Sequence, residues 1–288
     1  MTIRHFKSII LAATTALLTA ACATPPITDY STITVSIEPL RYITQAVTGD
    51  KFSVNTLMPK GASPESYQPT PQQIADLSNS MAYIKVGSLG FESTQLDKYT
   101  KNMPHLFCIN ASRRIAPLPH SHGGHGHEGE ESDPHIWTSP WNLKMMADNI
   151  CSALVALDTA NTQQFVMNFR RFATHMDSLD HAIRQKLSTA SSRTFLIYHP
   201  ALAYFARDYN LQQLSVEQDG KEATAERLAE LIEECKKADV KVVFVQKEYA
   251  GRTARTIAEE IGARIVEIDP LSYDYEKEML NIAAALSL

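Results

Sequence analysis

The sequence predicts an α/β fold: two similar parallel-sheet lobes joined by one long rigid helix, with a metal site in the cleft between them. Three observations carry this prediction. Strand-like and helix-like segments alternate in two separate series, with βα units of about 30 residues. Between the series lies Thr162–Ala190, a stretch without proline or glycine. Potential metal ligands recur in the loops that follow predicted strands, in both halves of the chain.

The first series opens with YSTITVSI, Tyr30 to Ile37, whose alternating β-branched residues read as a strand. Pro39 opens a helix through Val47, closed by Gly49-Asp50. FSVNTLM, Phe52 to Met58, is a second strand. PKGASPESYQPTP, Pro59 to Pro71, carries four prolines without periodicity and reads as a rigid loop. A helix begins at Pro71, a third strand spans Ala82 to Val86, Ser93 to Asn102 reads as helix, and Leu106 to Ile109 is a short strand. Next comes PHSHGGHGHEGEESDPHIW, Pro119 to Trp137, which holds His120, His122, His125, His127 and His135. Pro140 to Leu157 is an amphipathic helix.

In Thr162–Ala190 the apolar residues Phe165, Phe169, Phe172, Met176, Leu179, Ile183 and Leu187 recur at steps of three and four. This is one helix of roughly 40 Å, more than a single crossover needs. His175 and His181 on it read as polar-face residues. The α/β rhythm then restarts: strand Arg193–Tyr198, a helix through Tyr209, strand Leu211–Glu217, the DGKEA loop, a helix over Thr224–Ala238 with Thr224 as N-cap, strand Lys241–Val245, helix Gly251–Ile261, strand Ala263–Ile268, and a last helix Tyr275–Leu286.

The chain begins with a basic start (Arg4, His5, Lys7), an apolar run from Ile9 to Ala21, and Cys22. That is the layout of a secretory signal peptide, too short for an ordinary membrane span. LTAAC resembles a bacterial lipoprotein processing site, which makes Cys22 the expected lipidation point. Plain cleavage after Ala23 is the competing reading. The expected organisation is a signal peptide over 1–21, a tether over 22–31, an N-terminal lobe over 32–158 with its His-rich loop at 119–133, a connector over 159–190, and a C-terminal lobe over 191–288. With 27 basic and 32 acidic residues mixed along the chain, nothing points to nucleic acid. Cys108, Cys151 and Cys235 are too widely spaced for a zinc knuckle and read as buried small hydrophobes. A disulfide among them cannot be deduced.

Four residues stand out as metal ligands: Glu65 in the proline-rich loop, then His135, His199 and Asp269. Their separations are 70, 64 and 70 residues, so each lobe supplies two. His199 and Asp269 follow predicted strands, where open α/β sheets place their sites. Two imidazoles and two carboxylates neutralise a divalent cation and suit Zn²⁺, and also Mn²⁺.

These segments resemble the metal-binding lipoproteins that serve zinc and manganese ABC importers, the cluster A-I, ZnuA-like solute-binding proteins. The resemblance runs from about Ile33 to Leu286. It rests on SPESYQPTP, GSLGFE at Gly87–Glu92, the His loop with DPHIW, YHPALAYFA from Tyr198, and EIDPL at Glu267–Leu271. It implies the same four ligands, with His120, His122, His125 and His127 as an accessory metal-gathering loop. It also implies Zn(II) as transported ligand, an ABC permease in the cytoplasmic membrane as partner, a lipid-anchored monomer outside the cytoplasm, and no enzymatic activity. One position departs: the family usually has His where this chain has Glu65, which makes the site more anionic and leans toward Mn²⁺. The His-rich loop leans toward zinc, and so does His199, where manganese-type members usually have Glu.

Two other classes compete. A zinc hydrolase needs an open coordination position and a general base. No HExxH is present, but Glu65 acting as base would leave a His-His-Asp site. A surface adhesin with a structural metal would unfold on metal removal.

Overall fold

The computed structural model describes residues 29–119, 132–217, 223–249 and 251–287. The expected signal peptide, Cys22 and the four histidines from His120 to His127 lie outside them. No helix among the described residues is long and apolar enough to cross a membrane.

Two four-stranded, all-parallel sheets form the frame. The first contains β1 (Asp29–Val35), β2 (Ser53–Thr56), β3 (Ser80–Lys85) and β4 (Phe107–Asn110), in the spatial order β2-β1-β3-β4. The second contains β5 (Thr194–Ile197), β6 (Gln212–Ser215), β7 (Val242–Gln246) and β8 (Arg264–Ile268), in the equivalent order β6-β5-β7-β8. Each lobe therefore has its strand-order reversal beside its first strand, the place where α/β sheets open a crevice at their carboxyl ends.

Local chemistry sets the helices around these sheets. Helix α1 (Glu38–Thr48) has proline in its first turn, as expected from Pro39. Helix α2 (Pro71–Ser78) starts in a capping box, in which the Thr70 hydroxyl accepts from Gln73 N–H and the Gln73 side chain accepts from Thr70 N–H. Ser139 caps α4 (Pro140–Leu157), and Thr224 caps α7 (Ala225–Lys237). Helices α6 (Ala203–Asp208), α8 (Arg252–Ile261) and α9 (Tyr275–Leu286) complete the second lobe.

The segment expected as a plain helix over Ser93–Asn102 departs from that reading. It is already helical at 90–91, widens into a π turn over Glu92–Leu96, and continues as α3 (Asp97–Thr100). The turn begins at Glu92, whose buried carboxylate points inward and accepts from Val86 N–H (2.8 Å), Gly87 N–H (2.7 Å) and the Ser36 hydroxyl (2.5 Å). Gly87 at φ +100° is required here, because a Cβ would lie 2.1 Å from the Asn110 amide oxygen.

The connector α5 (Thr162–Leu187) is 26 residues, about 39 Å at helical rise. It buries Phe165, Phe172, Met176, Leu179, Ile183 and Leu187, and leaves Phe169 only partly covered. Its stripe packs against α1, α4 and α9. The result is one apolar cluster that runs from Ile33 and Leu40 through α5 to Phe205, Phe244 and Met279. A smaller cluster covers the outer face of the second sheet. A core shared across the seam makes large hinge opening costly, because interiors are close-packed.

Polar braces add to it. His175 is not merely a solvated face residue: its Nε2 lies 2.6 Å from the Glu276 carboxylate of α9, which also accepts from the Tyr42 hydroxyl of α1. The Tyr273 hydroxyl meets the Gln45 side chain at 2.8 Å.

The three described cysteines are unpaired. Cys151 and Cys235 are buried as expected, but Cys108 is exposed, since β4 is an edge strand with one open flank.

Candidate metal centre

Three loops bring three of the four predicted ligands to one point. Glu65 sits in the loop after β2. There Ser63 Oγ accepts from the Glu65 N–H (3.3 Å) and donates to Glu65 Oε2 (3.1 Å). His135 stands at the head of a short 3₁₀ turn, Ile136–Thr138. The buried Trp137 anchors this turn by donating its indole N–H to the Pro270 carbonyl (2.9 Å) across the seam. His199 lies just past β5, with its backbone locked to Gln246 at the end of β7: its N–H donates to the Gln246 side-chain oxygen (3.3 Å), and its carbonyl accepts from the Gln246 amide (2.5 Å).

His135 Nε2 and His199 Nε2 are 3.3 Å apart. Glu65 Oε1 is 2.6 Å from His199 Nε2 and 4.0 Å from His135 Nε2. A tetrahedral ion with arms of ~2.0–2.1 Å needs ligand atoms about 3.3 Å apart, so sub-ångström shifts convert this cluster into a zinc shell. The free space between them is ≈ 20 Å³. That suits one small ion and is far below the roughly 300–1,000 Å³ of an organic-ligand pocket.

Each imidazole is oriented by a carboxylate at its other nitrogen. Asp133 Oδ1 lies 3.0 Å from His135 Nδ1, and Glu217 Oε2 lies 3.2 Å from His199 Nδ1. Both acids are buried. A carboxylate at Nδ1 fixes the tautomer that presents the Nε2 lone pair, and it raises the basicity of the ring as a ligand. Tyr249 completes the wall, stacking on His199 with ring centroids 5.2 Å apart and donating its hydroxyl to Glu65 Oε2 (2.5 Å). Glu217→Gln keeps an acceptor but removes the charge. It is expected to weaken zinc binding by roughly 10- to 100-fold with the fold unchanged, as read by chelator competition and circular dichroism. Wild-type affinity would mean that Glu217 does not tune the ring.

Burial pushes the His199 imidazole down, but hydrogen bonds and charge from Glu217 and Glu65 outweigh it and lift the ring to about 9. Burial pushes the Glu65 carboxyl up, but the His199 hydrogen bond and charge, the Tyr249 hydroxyl and His135 outweigh it and bring the group to about 2. At neutral pH the metal-free site is thus closed by a Glu65⁻–His199⁺ pair. By linkage, the stability contributed by His199 is fully present below about 6.5 and is lost as pH rises through about 9. That contributed by Glu65 is present above about 4.5 and is lost as pH falls toward 2.

Asp269 is not brought into this group. Its Oδ1 accepts from Leu271 N–H (3.2 Å), and its Oδ2 lies 3.6 Å from Lys247 Nζ. The Asp-Pro turn uses the carboxylate to close itself, so Pro270 and Leu271 line the metal space while Asp269 faces a neighbouring cavity of ≈ 160 Å³. Among the described residues, Glu65, His135 and His199 form a three-membered group with ligand atoms within 4.8 Å.

The His-rich loop itself is outside the described residues, but its base is in view. Pro119 bridges to Ser132, three residues before His135, and Asp133 N–H donates to the Leu118 carbonyl (2.9 Å).

Sequence reasoning missed Asp133, Glu217 and Tyr249. Asp133 had a signal, two places before His135 in DPHIW. Glu217 had a weaker one, as the end of a strand predicted to lie near that of His199. Tyr249 had none.

The family described as zinc-uptake complex component A, periplasmic (ZnuA), matches residues 33–287. The chain belongs to the ZnuA family. A zinc-bound crystal structure of a ZnuA deletion mutant superposes with a TM-score of 0.83 at 35% identity, covering 90% of this chain and 97% of that one. The zinc-binding lipoprotein AdcA of Streptococcus pneumoniae (strain ATCC BAA-255 / R6) is 27% identical over 92% of this chain. The match covers 55% of AdcA, so the chain spans about half the length of that relative. A protein of Treponema pallidum (strain Nichols) whose name gives it as metal-binding is 29% identical over 89% of this chain and 83% of its own length. The expected resemblance and the two-lobed fold therefore hold. ZnuA proteins are periplasmic metal-binding transport components rather than an enzyme class, which places this chain's relatives outside the cytoplasm.

Proposed function

We propose that this chain captures Zn(II) outside the cytoplasm with Glu65, His135 and His199, and delivers it to an ABC-type importer in the cytoplasmic membrane. The convergence of two carboxylate-oriented imidazoles and one glutamate in a space the size of a single ion carries this reading. Two nitrogens and one oxygen suit zinc better than manganese, which favours oxygen-rich sites. Lack of room for an organic substrate argues against hydrolase chemistry even though three protein ligands leave a coordination position open. With one core running through both lobes, release proceeds by small tilts and loop shifts. In the same reading Cys22 carries a lipid anchor, the chain is a monomer without enzymatic activity, and His120, His122, His125 and His127 gather metal near the site.

The test is zinc titration of the mature, metal-free chain and of a variant lacking 120–127. One tight zinc per chain in both, with a folded metal-free state, is the expected result. Loss of tight binding on loop deletion would place the metal elsewhere.

Zinc requires a neutral His199, so binding expels its proton. About one proton per zinc is expected at pH 7.5, falling toward none above pH 9, with affinity rising roughly tenfold per pH unit between. Calorimetry in buffers of different ionisation enthalpy reads this number directly. No proton release at pH 7.5 would contradict a protonated His199 in the metal-free protein.

A further inference from the structure

His135 is set by the two residues before it, and these are held from opposite lobes. The Pro134 carbonyl accepts from the Ser88 hydroxyl of the first lobe (2.9 Å). The Asp133 carbonyl accepts from the Tyr204 hydroxyl of α6 in the second lobe (3.0 Å). The same phenol oxygen accepts from the Leu118 N–H (3.0 Å). Leu118 and Asp133 face each other on the two sides of the stem that flanks residues 120–131, joined by the Asp133 N–H to Leu118 carbonyl bond. One oxygen atom therefore ties both sides of the stem to the other lobe. Tyr204 is fully buried, with the Arg207 guanidinium 5.1 Å from its ring centroid, and it lies on the segment that also carries His199. The stem is short and needs the tie. Its next pair is Pro119 with Ser132, and Pro119 has no N–H to donate. Closing the twelve-residue segment between them costs entropy that grows with its length. Asp133 carries the state of the stem into the site, since its Oδ1 accepts from the His135 N–H (2.8 Å) and lies 3.0 Å from His135 Nδ1.

We infer that Tyr204 is a positioning residue: its hydroxyl clasps the stem of the His-rich loop to the second lobe and so holds Asp133, and through it the His135 ring, at the angle the metal needs. The clasp insulates the site from the loop. With the hydroxyl in place, Asp133 keeps its position whatever residues 120–131 bind. Without it, the stem relies on its own backbone pairing, and the closure entropy of the loop acts on Asp133. The clasp also ties the seating of His135 to the closed seam, because the hydroxyl stands on the lobe that carries His199. A tilt that draws α6 back pulls on Asp133 as it separates the two imidazoles.

This inference rests on the zinc site proposed above, and the test separates the two. Zinc affinity by chelator competition, and the visible spectrum of the Co(II)-loaded protein, are measured for the wild type, Tyr204→Phe, the chain lacking 120–127, and the two changes combined. Phenylalanine keeps the ring volume and the Arg207 contact, so circular dichroism of all four should match. Tyr204→Phe is expected to weaken zinc roughly 10-fold, the low end of the loss usual for an outer partner of a ligand, and to alter the Co(II) bands. Removing 120–127 is expected to change the wild type by less than about twofold. In Tyr204→Phe the same removal shortens the closed segment from twelve residues to four, which eases closure roughly fivefold. About that much affinity should return, and the Co(II) bands should move back toward those of the wild type. A loss that loop removal does not relieve would mean that the hydroxyl only stabilises the seam, and would overturn the clasp. Wild-type affinity and spectrum in Tyr204→Phe would overturn it as well. Hydrogen exchange of the Leu118 amide in the metal-free protein reads the clasp without zinc. It is expected to be at least about 10-fold faster in Tyr204→Phe, and equal rates would reject the clasp. Absence of stoichiometric zinc from a wild-type protein whose Leu118 amide is protected would instead overturn the zinc site.

Discussion

Glu65→Ala is expected to abolish tight zinc binding, weakening it by at least two orders of magnitude while the protein stays folded. The substitution removes the only oxygen ligand of the three and leaves two imidazoles, a loss larger than the roughly 10- to 100-fold seen when an outer partner of a ligand is removed. The Glu65 side chain is 42% exposed in a proline-rich loop, so its truncation creates no core cavity. A second consequence follows from the closed metal-free state. Without Glu65, His199 keeps only Glu217 as an acidic partner, so its elevation shrinks and fewer protons leave on zinc binding near neutral pH. Zinc competition and buffer-dependent calorimetry on one sample read both effects. Unchanged affinity would remove Glu65 from the ligand set and reopen the reading in which it serves as a general base.

Trp137→Ala is expected to destabilise the metal-free protein by about 3–5 kcal/mol and to lower its melting temperature by roughly 10 °C. Trp137 is fully buried, and its indole donates across the seam to Pro270. It also packs edge-on against His135, with ring centroids 5.3 Å apart. Truncation therefore opens a large void, frees the Pro270 carbonyl and loosens a ligand at once. Trp137→Phe restores most of the volume but not the donor, and should cost about 1–3 kcal/mol, the price of an unpaired buried carbonyl. Calorimetric melting of the two variants separates volume from hydrogen bond. Equal melting of wild type and Trp137→Ala would mean the seam carries little of the stability.

The two series of alternating segments were legible because strand and helix periodicities survive without tertiary context. The strands of both sheets, α4 and α9 fall where the pattern puts them. The π turn at Glu92 was not legible. The Glu92 carboxylate accepts from the nearby Val86 and Gly87 N–H groups but also from the Ser36 hydroxyl just past β1, and no window around Glu92 contains that third partner. The same limit applies to Asp269. As a residue after a strand it looks equivalent to His199, but the direction of its carboxylate is set by Leu271 and Lys247.

By itself, the sequence determined the α/β class, the long connector, and the histidines and glutamate worth watching, because those depend on residue type and short-range spacing. Only the tertiary structure decided which of them meet. It placed Glu65 2.6 Å from His199, put Asp133 and Glu217 behind the imidazoles, and turned Asp269 away. The reason is physical: a metal site is a matter of tenths of an ångström between atoms on separate loops, and those distances are fixed by how the two lobes pack through one shared core.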